Sequence, residues 1–384
     1  MRDSTKILYV IGSLDRGGCE THLLKILPRL KEHGYDISIF LLSKRGSLAN
    51  EFEKQGVFLI EPWYKLSTKA TSKFSRALRL LMICIQLVTT IIRGRPDIIH
   101  FFLPASYWIG GTISLLFPRL KKVMSRRSMN HYMAGKKIIT SLERQLHQKM
   151  DYVLGNSKAV VEQLHQEGAP SYKVDLIYNG IEHVKVNKER KALRKELQIP
   201  ESTVVMTMVA NLIPYKGHMD LIHALGRLSK TVEEDWHVLL VGRDDGIAKE
   251  LQKEANQLGI LGNITFLGAR DDVVDIYNAS DIGVLVSHEE GFSNAVLEAM
   301  SAGLPMLVTD VGGNAEAVQN GDAGLVVEAK DINGIFDGLR QLVIDKSMRD
   351  RMGTFAKKRI ENSFSLEQCV YQYHKLYQKT LTQK

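Results

Sequence analysis

The stretch 281–310, DIGVLVSHEEGFSNAVLEAMSAGLPMLVTD, decides the fold. An apolar run, DIGVLVS (281–287), leads into a polar turn and then a helical pattern. A second apolar run, PMLVTD (305–310), follows Gly303. Short apolar runs separated by a helix read as parallel strands buried on both faces. The alternation extends both ways. Strands are expected at 203–212, 236–242, 263–268 and 323–328. An earlier set is expected at 6–14, 36–43, 57–63, 97–103, 121–127, 151–157 and 173–180. A helix is expected at 20–34, which Pro28 should shorten or kink. The charged segment 182–198 interrupts the pattern and reads as a linker plus a short exposed helix. The fold class is therefore α/β, with two doubly wound parallel-sheet (Rossmann-like) domains expected to face each other across a cleft. Their expected bounds are 1–181 and 182–364, with a terminal helix, 365–380, packing back onto the first.

Composition fits two such domains. The 384 residues are 44% hydrophobic and 24% charged, which excludes a largely disordered chain. Cys19, Cys84 and Cys369 are widely spaced, with no CxxC, and read as free thiols in a reducing compartment. The N-terminus lacks the apolar core of a secretory signal, so a cytoplasmic place is expected. The net charge of +8 is uneven. Residues 1–180 hold 27 Lys and Arg against 14 Asp and Glu, and the remainder 24 against 29. A basic half suits phosphates, nucleic acid or anionic lipid. Within it, 80–92 is an uncharged run of 13 residues, preceded by Lys65, Lys69, Lys73, Arg76 and Arg79. That is too short to span a bilayer. It reads either as a buried helix with a basic approach or as a helix at the surface of an anionic membrane.

The chemistry concentrates in EEGFSNAVLEAM (289–300). Its preceding strand puts the turn at the carboxyl edge of a parallel sheet, where such folds bind ligands. A helix starting near Ser293 would aim its unpaired N–H groups at a bound anion, most naturally a phosphate. Glu298, one and a half turns into that helix, suits a pair of neutral hydroxyls such as a ribose diol. Glu290 precedes the turn and faces the other end of a ligand. Both could equally be solvated acids at a helix start. GFSNA also approaches the G-x-S-x-G elbow, but Ala295 replaces the last Gly and only His374 lies downstream. In VANLIPYKGHMDL (209–221), Lys216 sits before Gly217 at a helix start, placed to neutralise a phosphate or simply to face solvent. GSLDRGGCE (12–20) is a small-residue loop that lets backbone approach a ligand. VMSRRSMNHY (123–132) offers Arg126 and Arg127, for phosphate, an anionic acceptor or a salt bridge, and His131 as a loop histidine. HEEGF is not HExxH, and no D-x-D triplet exists.

Together and in this order these motifs resemble the retaining glycosyltransferases of family 4, with the GT-B fold. The resemblance covers nearly the whole chain, through GGCETHLL, SRRSMN, GNSKAV, IYNGIE, VANLIPYKGH and EEGFSNAVLEAMSAGLPMLVTDVGGNAEAV. Its most specific part is E-x7-E, running from Glu290 to Glu298. The resemblance implies that Glu298 holds the ribose hydroxyls of a nucleotide and that Glu290 contacts the donor sugar near the reacting carbon. Phe292, Ser293 and Asn294 would meet sugar and diphosphate, and Lys216 would bind the diphosphate. Gly17 and Gly18 would let the first domain close over it. Family members often carry Arg where this chain has Asn211, so a second cation, Arg126 or Arg243, is expected to replace it. The implied donor is a UDP- or GDP-linked sugar, with no metal and no other cofactor. The implied acceptor is a glycan or glycolipid, such as a lipid-linked or surface-polysaccharide precursor, held by the basic half. A peripheral place on the inner face of the cytoplasmic membrane would follow, with no nucleic-acid partner. The alternatives are a sugar-nucleotide epimerase of the same fold and a non-catalytic nucleotide- or membrane-binding protein.

Overall fold

The computed structural model describes residues 4–63, 72–130, 135–182 and 186–382. Lys65, Lys69 and His131 lie outside the described residues. The chain forms two compact units, Met1–Gly180 with Leu366–Lys384, and Ile181–Ser365.

The first unit holds strands β1 (Thr5–Ile11), β2 (Tyr35–Leu41), β3 (Phe58–Ile60), β4 (Ile98–Phe102), β5 (Lys121–Arg126), β6 (Tyr152–Gly155) and β7 (Val174–Leu176). They pair in parallel in the order β3-β2-β1-β4-β5-β6-β7. The unbroken apolar run in β1 has a direct cause. Ile7, Tyr9 and Ile11 point into one core with the helices Gly18–Glu32 and Leu366–Thr382. Leu8 and Val10 point into the other core, against the helix Lys73–Gly94. Both faces of the sheet are covered, so period-two alternation disappears.

Helix Gly18–Glu32 runs through Pro28 without a break, contrary to the expected shortening. The proline costs one backbone hydrogen bond. Leu23, Ile26, Leu27 and Leu30 are fully buried on either side of it and hold the helix together.

The terminal helix Leu366–Thr382 belongs to the first unit. Its Tyr377 hydroxyl lies 2.6 Å from the Tyr9 hydroxyl and 2.7 Å from His100 Nδ1. His100 Nε2 in turn meets Ser125 Oγ at 2.8 Å. This buried chain is satisfied at each link, as buried polar groups must be. Burial holds His100 well below the ordinary histidine pKa, hence neutral, with Arg127 adding to the effect.

The second unit contains β8 (Val204–Val209), β9 (Trp236–Val241), β10 (Ile264–Gly268), β11 (Ile282–Leu285), β12 (Met306–Thr309) and β13 (Gly324–Val327). All are parallel, in the order β10-β9-β8-β11-β12-β13. The strand order reverses between β8 and β11, as it does between β1 and β4 in the first unit. The crevices outside the carboxyl ends of such strand pairs are where doubly wound folds bind ligands.

The segment after residue 182 meets its expectation in part. Its short helix, Arg190–Glu196, belongs to the second unit and exposes Lys191, Ala192, Lys195 and Glu196. Leu193 and Arg194 are fully buried. The Arg194 guanidinium donates to the carbonyls of Ala279, Pro200, Glu201 and Thr203 at 2.9–3.2 Å, and to Asp281 Oδ2 at 2.7 Å. A helix rich in charge reads as solvent-facing by composition. Arg194 departs from that, turning inward to a full set of acceptors.

Candidate active site

The residues that sequence places 74 positions apart meet at the β8/β11 reversal. β8 leads into a short 3₁₀ turn, Pro214–Lys216, and then helix His218–Leu228. Gly217 joins them in the left-handed region, φ +76°. A Cβ there would lie 1.9 Å from the Val286 carbonyl oxygen, so only glycine lets the two loops touch. β11 leads into the loop 287–293 and helix Asn294–Ser301. Lys216 Nζ donates to Glu290 Oε1 at 2.6 Å, and Ser287 Oγ donates to the same oxygen at 2.7 Å. Both ionic side chains are largely shielded, at 18% and 11% exposure. Removing one partner of a pair that shielded costs more than breaking a surface salt bridge, because it strands the other charge.

Two further contacts fix this arrangement. The His288 N–H donates to the Tyr215 carbonyl at 2.7 Å, and His288 Nε2 lies 2.6 Å from Asp220 Oδ2. The loop bearing Glu290 is thereby tied to the helix that follows Lys216. Behind the loop, Gly313 N–H donates to Gly291 O at 2.7 Å. Gly312 has φ +54°, and a Cβ there would strike the Glu290 carbonyl oxygen at 2.2 Å. Sequence reading missed Ser287, His288 and Asp220. Their signal lies in the strand order, which the sequence does not spell out.

Helix Asn294–Ser301 is capped by Ser293, whose Oγ accepts from Val296 N–H. It is stopped by Gly303 at φ +84°. Buried Tyr277 donates to the Ala295 carbonyl at 3.1 Å and so holds the first turn. Burial, reinforced by the nearby Glu298 charge, pushes the Tyr277 pKa well up and keeps the phenol a donor. Glu298 is half-buried on this helix.

The remaining expected residues fall in three places. The Phe292 ring is buried, 5.3 Å centroid to centroid from Phe364. It packs the interior of the second unit. Gly17 and Gly18 begin the first helix of the first unit, after β1. Asn211 is exposed at the end of β8 and its Oδ1 accepts from the Arg243 backbone N–H at 3.2 Å. Arg243 is itself exposed and forks onto Asp245.

Arg126 is a correction. It was expected as a donor cation, but it is buried in the first unit between Glu143 at 2.7 Å and Glu167 at 3.0 Å. Two carboxylates already neutralise it. Glu143, His147 and Glu167 also form a cluster with metal-ligand geometry. The Arg126 guanidinium bridges both carboxylates there and supplies the positive charge that an ion would bring.

Residues 16–185 match the family described as Glycosyltransferase Family 4, and residues 189–359 match the one described as Glycosyl transferases group 1. The chain belongs to glycosyltransferase family 4. Over 61% of its length this family 4 glycosyltransferase is 32% identical to the N-acetyl-alpha-D-glucosaminyl L-malate synthase of Bacillus anthracis, and the match spans 61% of that protein. It is 26% identical to the D-inositol 3-phosphate glycosyltransferase of Corynebacterium diphtheriae over 93% of this chain and 89% of that one. The fold is that of Anabaena Alr3699/HepE, a structure in complex with UDP and glucose, with TM-score 0.83 and 19% identity over 98% of this chain and 100% of that one.

One group of this glycosyltransferase's site bears on pH. His218, at the start of the helix after Lys216, is fully buried. Burial, then the adjacent Lys216 charge, lowers its pKa to about 4. The unfolded chain binds a proton near pH 6.5 that the folded chain refuses. Its contribution to stability is therefore complete above pH 6.5 and is lost as pH falls toward 4, by about 3 kcal/mol. Thermal unfolding between pH 7.5 and 4.5 checks this. A His218→Leu chain is expected to lose less stability on acidification than the wild type; parallel curves would contradict it.

Proposed function

We propose that the protein transfers a sugar from a nucleoside-diphosphate sugar to an acceptor hydroxyl with retention of configuration and without a metal ion. The observation that carries this reading is the meeting of Lys216 and Glu290 at the β8/β11 reversal, beside the start of the helix that bears Glu298. In this reading Glu298 accepts hydrogen bonds from the ribose hydroxyls. The backbone N–H groups near Ser293 and Asn294, with the Lys216 ammonium, take the diphosphate. The bond between the sugar C1 and the β-phosphate oxygen breaks, and its electron pair leaves with the diphosphate. The acceptor oxygen bonds to C1 on the same face, and its proton passes to a departing phosphate oxygen. Stabilising charge on that leaving group is the main task, and preorganised donors accomplish it. Glu290 serves by position and charge beside the reacting carbon.

Arg243 takes the place of the arginine missing at Asn211. Its backbone touches the Asn211 side chain, whereas Arg126 is neutralised elsewhere. The donor is UDP- or GDP-linked, in keeping with the UDP held by the Anabaena protein. The acceptor is a glycan or glycolipid, such as a lipid-linked or surface-polysaccharide precursor, matching the excess of cations in residues 1–180.

Calorimetric titration with UDP and GDP tests the nucleotide role. Glu298→Ala is expected to weaken the preferred nucleotide by about 10- to 100-fold, the worth of one or two charge-assisted hydrogen bonds. The same change in the 2′,3′-dideoxy nucleotide should be near zero. Equal losses for both nucleotides would refute the ribose assignment.

A further inference from the structure

Helix Lys73–Gly94 has two apolar faces. Ile83, Leu87 and Ile91 are buried in the core of the first unit. On the opposite side Phe74, Leu78, Leu81, Ile85 and Ile92 are exposed, and their spacing of four, three, four and seven puts them on one stripe. Phe74 is 78% exposed, Leu81 55% and Ile92 57%. Exposed Leu116 and Leu381 line an 860 Å³ groove with Ile92, where Arg95, Arg119 and Lys121 outnumber Asp97. Exposed Trp63 is tied to the helix by its N–H, which donates to Gln86 at 2.8 Å. Single exposed apolar residues need no explanation, but five on one stripe of a helix mark an interaction surface.

The charge on the same helix says what covers it. Lys73, Arg76 and Arg79 lie in its first two turns and Arg93 and Arg95 at its end, with no acid among residues 73–95. The middle is uncharged. Two copies of the chain meeting along this stripe would set one helix's cations against the other's, with no carboxylate on either to pair them. A membrane-crossing role fails as well. The 22-residue helix is long and apolar enough to span a bilayer. Its other face, however, is packed in the core and cannot leave without dismantling it. An anionic lipid surface satisfies both features: acyl chains take the stripe and phosphates take the cationic ends.

We infer that helix 73–94 is a docking surface for an anionic bilayer, lying in the plane of the interface with its Phe74–Ile92 stripe inserted. The inference stands on the first unit alone and not on the residues assigned to sugar transfer. Flotation of the full-length protein with vesicles of phosphatidylglycerol and phosphatidylcholine tests it, beside vesicles of phosphatidylcholine only. The wild type is expected to float with the anionic vesicles, to float at least tenfold less with neutral ones, and to be released by salt. Leu81→Asp/Ile85→Asp and Lys73→Glu/Arg79→Glu should each reduce flotation at least tenfold while leaving nucleotide affinity unchanged. All these positions are exposed or at the edge of the core, and unchanged nucleotide affinity and circular dichroism report a folded chain. No flotation of the wild type would overturn the inference. So would variants that float normally, or sedimentation showing a dimer that either variant dissociates.

Discussion

Lys216→Ala is expected to weaken diphosphate binding by more than the loss of one contact, by at least 30-fold and about 100-fold in the fuller case. A charge-assisted hydrogen bond accounts for on the order of 2 kcal/mol. The structure adds a second effect. Lys216 is the ammonium partner of Glu290, and Glu290 is only 11% exposed. Removing the lysine leaves a shielded carboxylate facing the place where the phosphates are proposed to bind, and like charges repel there. Glu290→Ala has the opposite outcome for binding. It frees Lys216 for the phosphates, so nucleotide affinity holds or rises, while turnover falls by about 10²–10³, in the range for losing a preorganised electrostatic group. The double variant Lys216→Ala/Glu290→Ala should bind nucleotide more tightly than Lys216→Ala alone. Titration of the four chains with nucleoside diphosphate, together with donor turnover, reads the whole cycle. Additive losses in binding would show that the pair does not compete with the phosphates.

Arg194→Ala should be the most damaging change remote from the site. It strips five hydrogen bonds from four carbonyls and Asp281, and leaves Asp281 with Arg190 as its remaining cationic contact. Breaking a buried pair of this kind costs roughly 3–5 kcal/mol. Hydrogen exchange localises the effect. Amides of β8 and β11 should exchange roughly two to three orders of magnitude faster, and those of β1 and β4 at their former rate. The comparison matters because Asp281 opens β11 and accepts from Val205 N–H in β8, so the loss falls at the strands that carry the site. Uniform acceleration through both units would mean that Arg194 holds the whole chain rather than the second unit.

The strands and the E-x7-E turn were legible because each is local. Apolar runs, Gly303 and the Ser293 cap are read within a dozen residues of one another. The Lys216–Glu290 pair was not legible, since it depends on β8 lying beside β11 while β9 and β10, the strands between them in sequence, lie beyond β8. Arg126 was open to phosphate, an anionic acceptor or a salt bridge in sequence, because its carboxylates, Glu143 and Glu167, come 17 and 41 positions further along the chain. Phe292 sits in the most specific motif of the sequence, yet its ring answers to Phe364, a packing partner 72 positions away. Charge composition was only part of the story at 182–198, where Arg194 turns inward beside Leu193 while the neighbouring charges stay exposed. The helix 73–94 left both readings open in sequence; in the structure one of its faces is buried in the core and the other exposes apolar side chains.

The chain leaves the first unit at Gly180 and returns at Leu366, with Ile181 N–H donating to Phe364 O where it leaves and returns. The second unit is thus spliced into the first as a continuous insert. On the ribosome, Tyr9 is made early, and its partner Tyr377 only after the whole insert has been translated. The insert has all its strands available before then and can mature first, whereas the first sheet waits with one flank bare. During synthesis that flank, the side of β1 that Val370, Tyr373 and Tyr377 later cover, is the part of the nascent chain most in need of protection from aggregation.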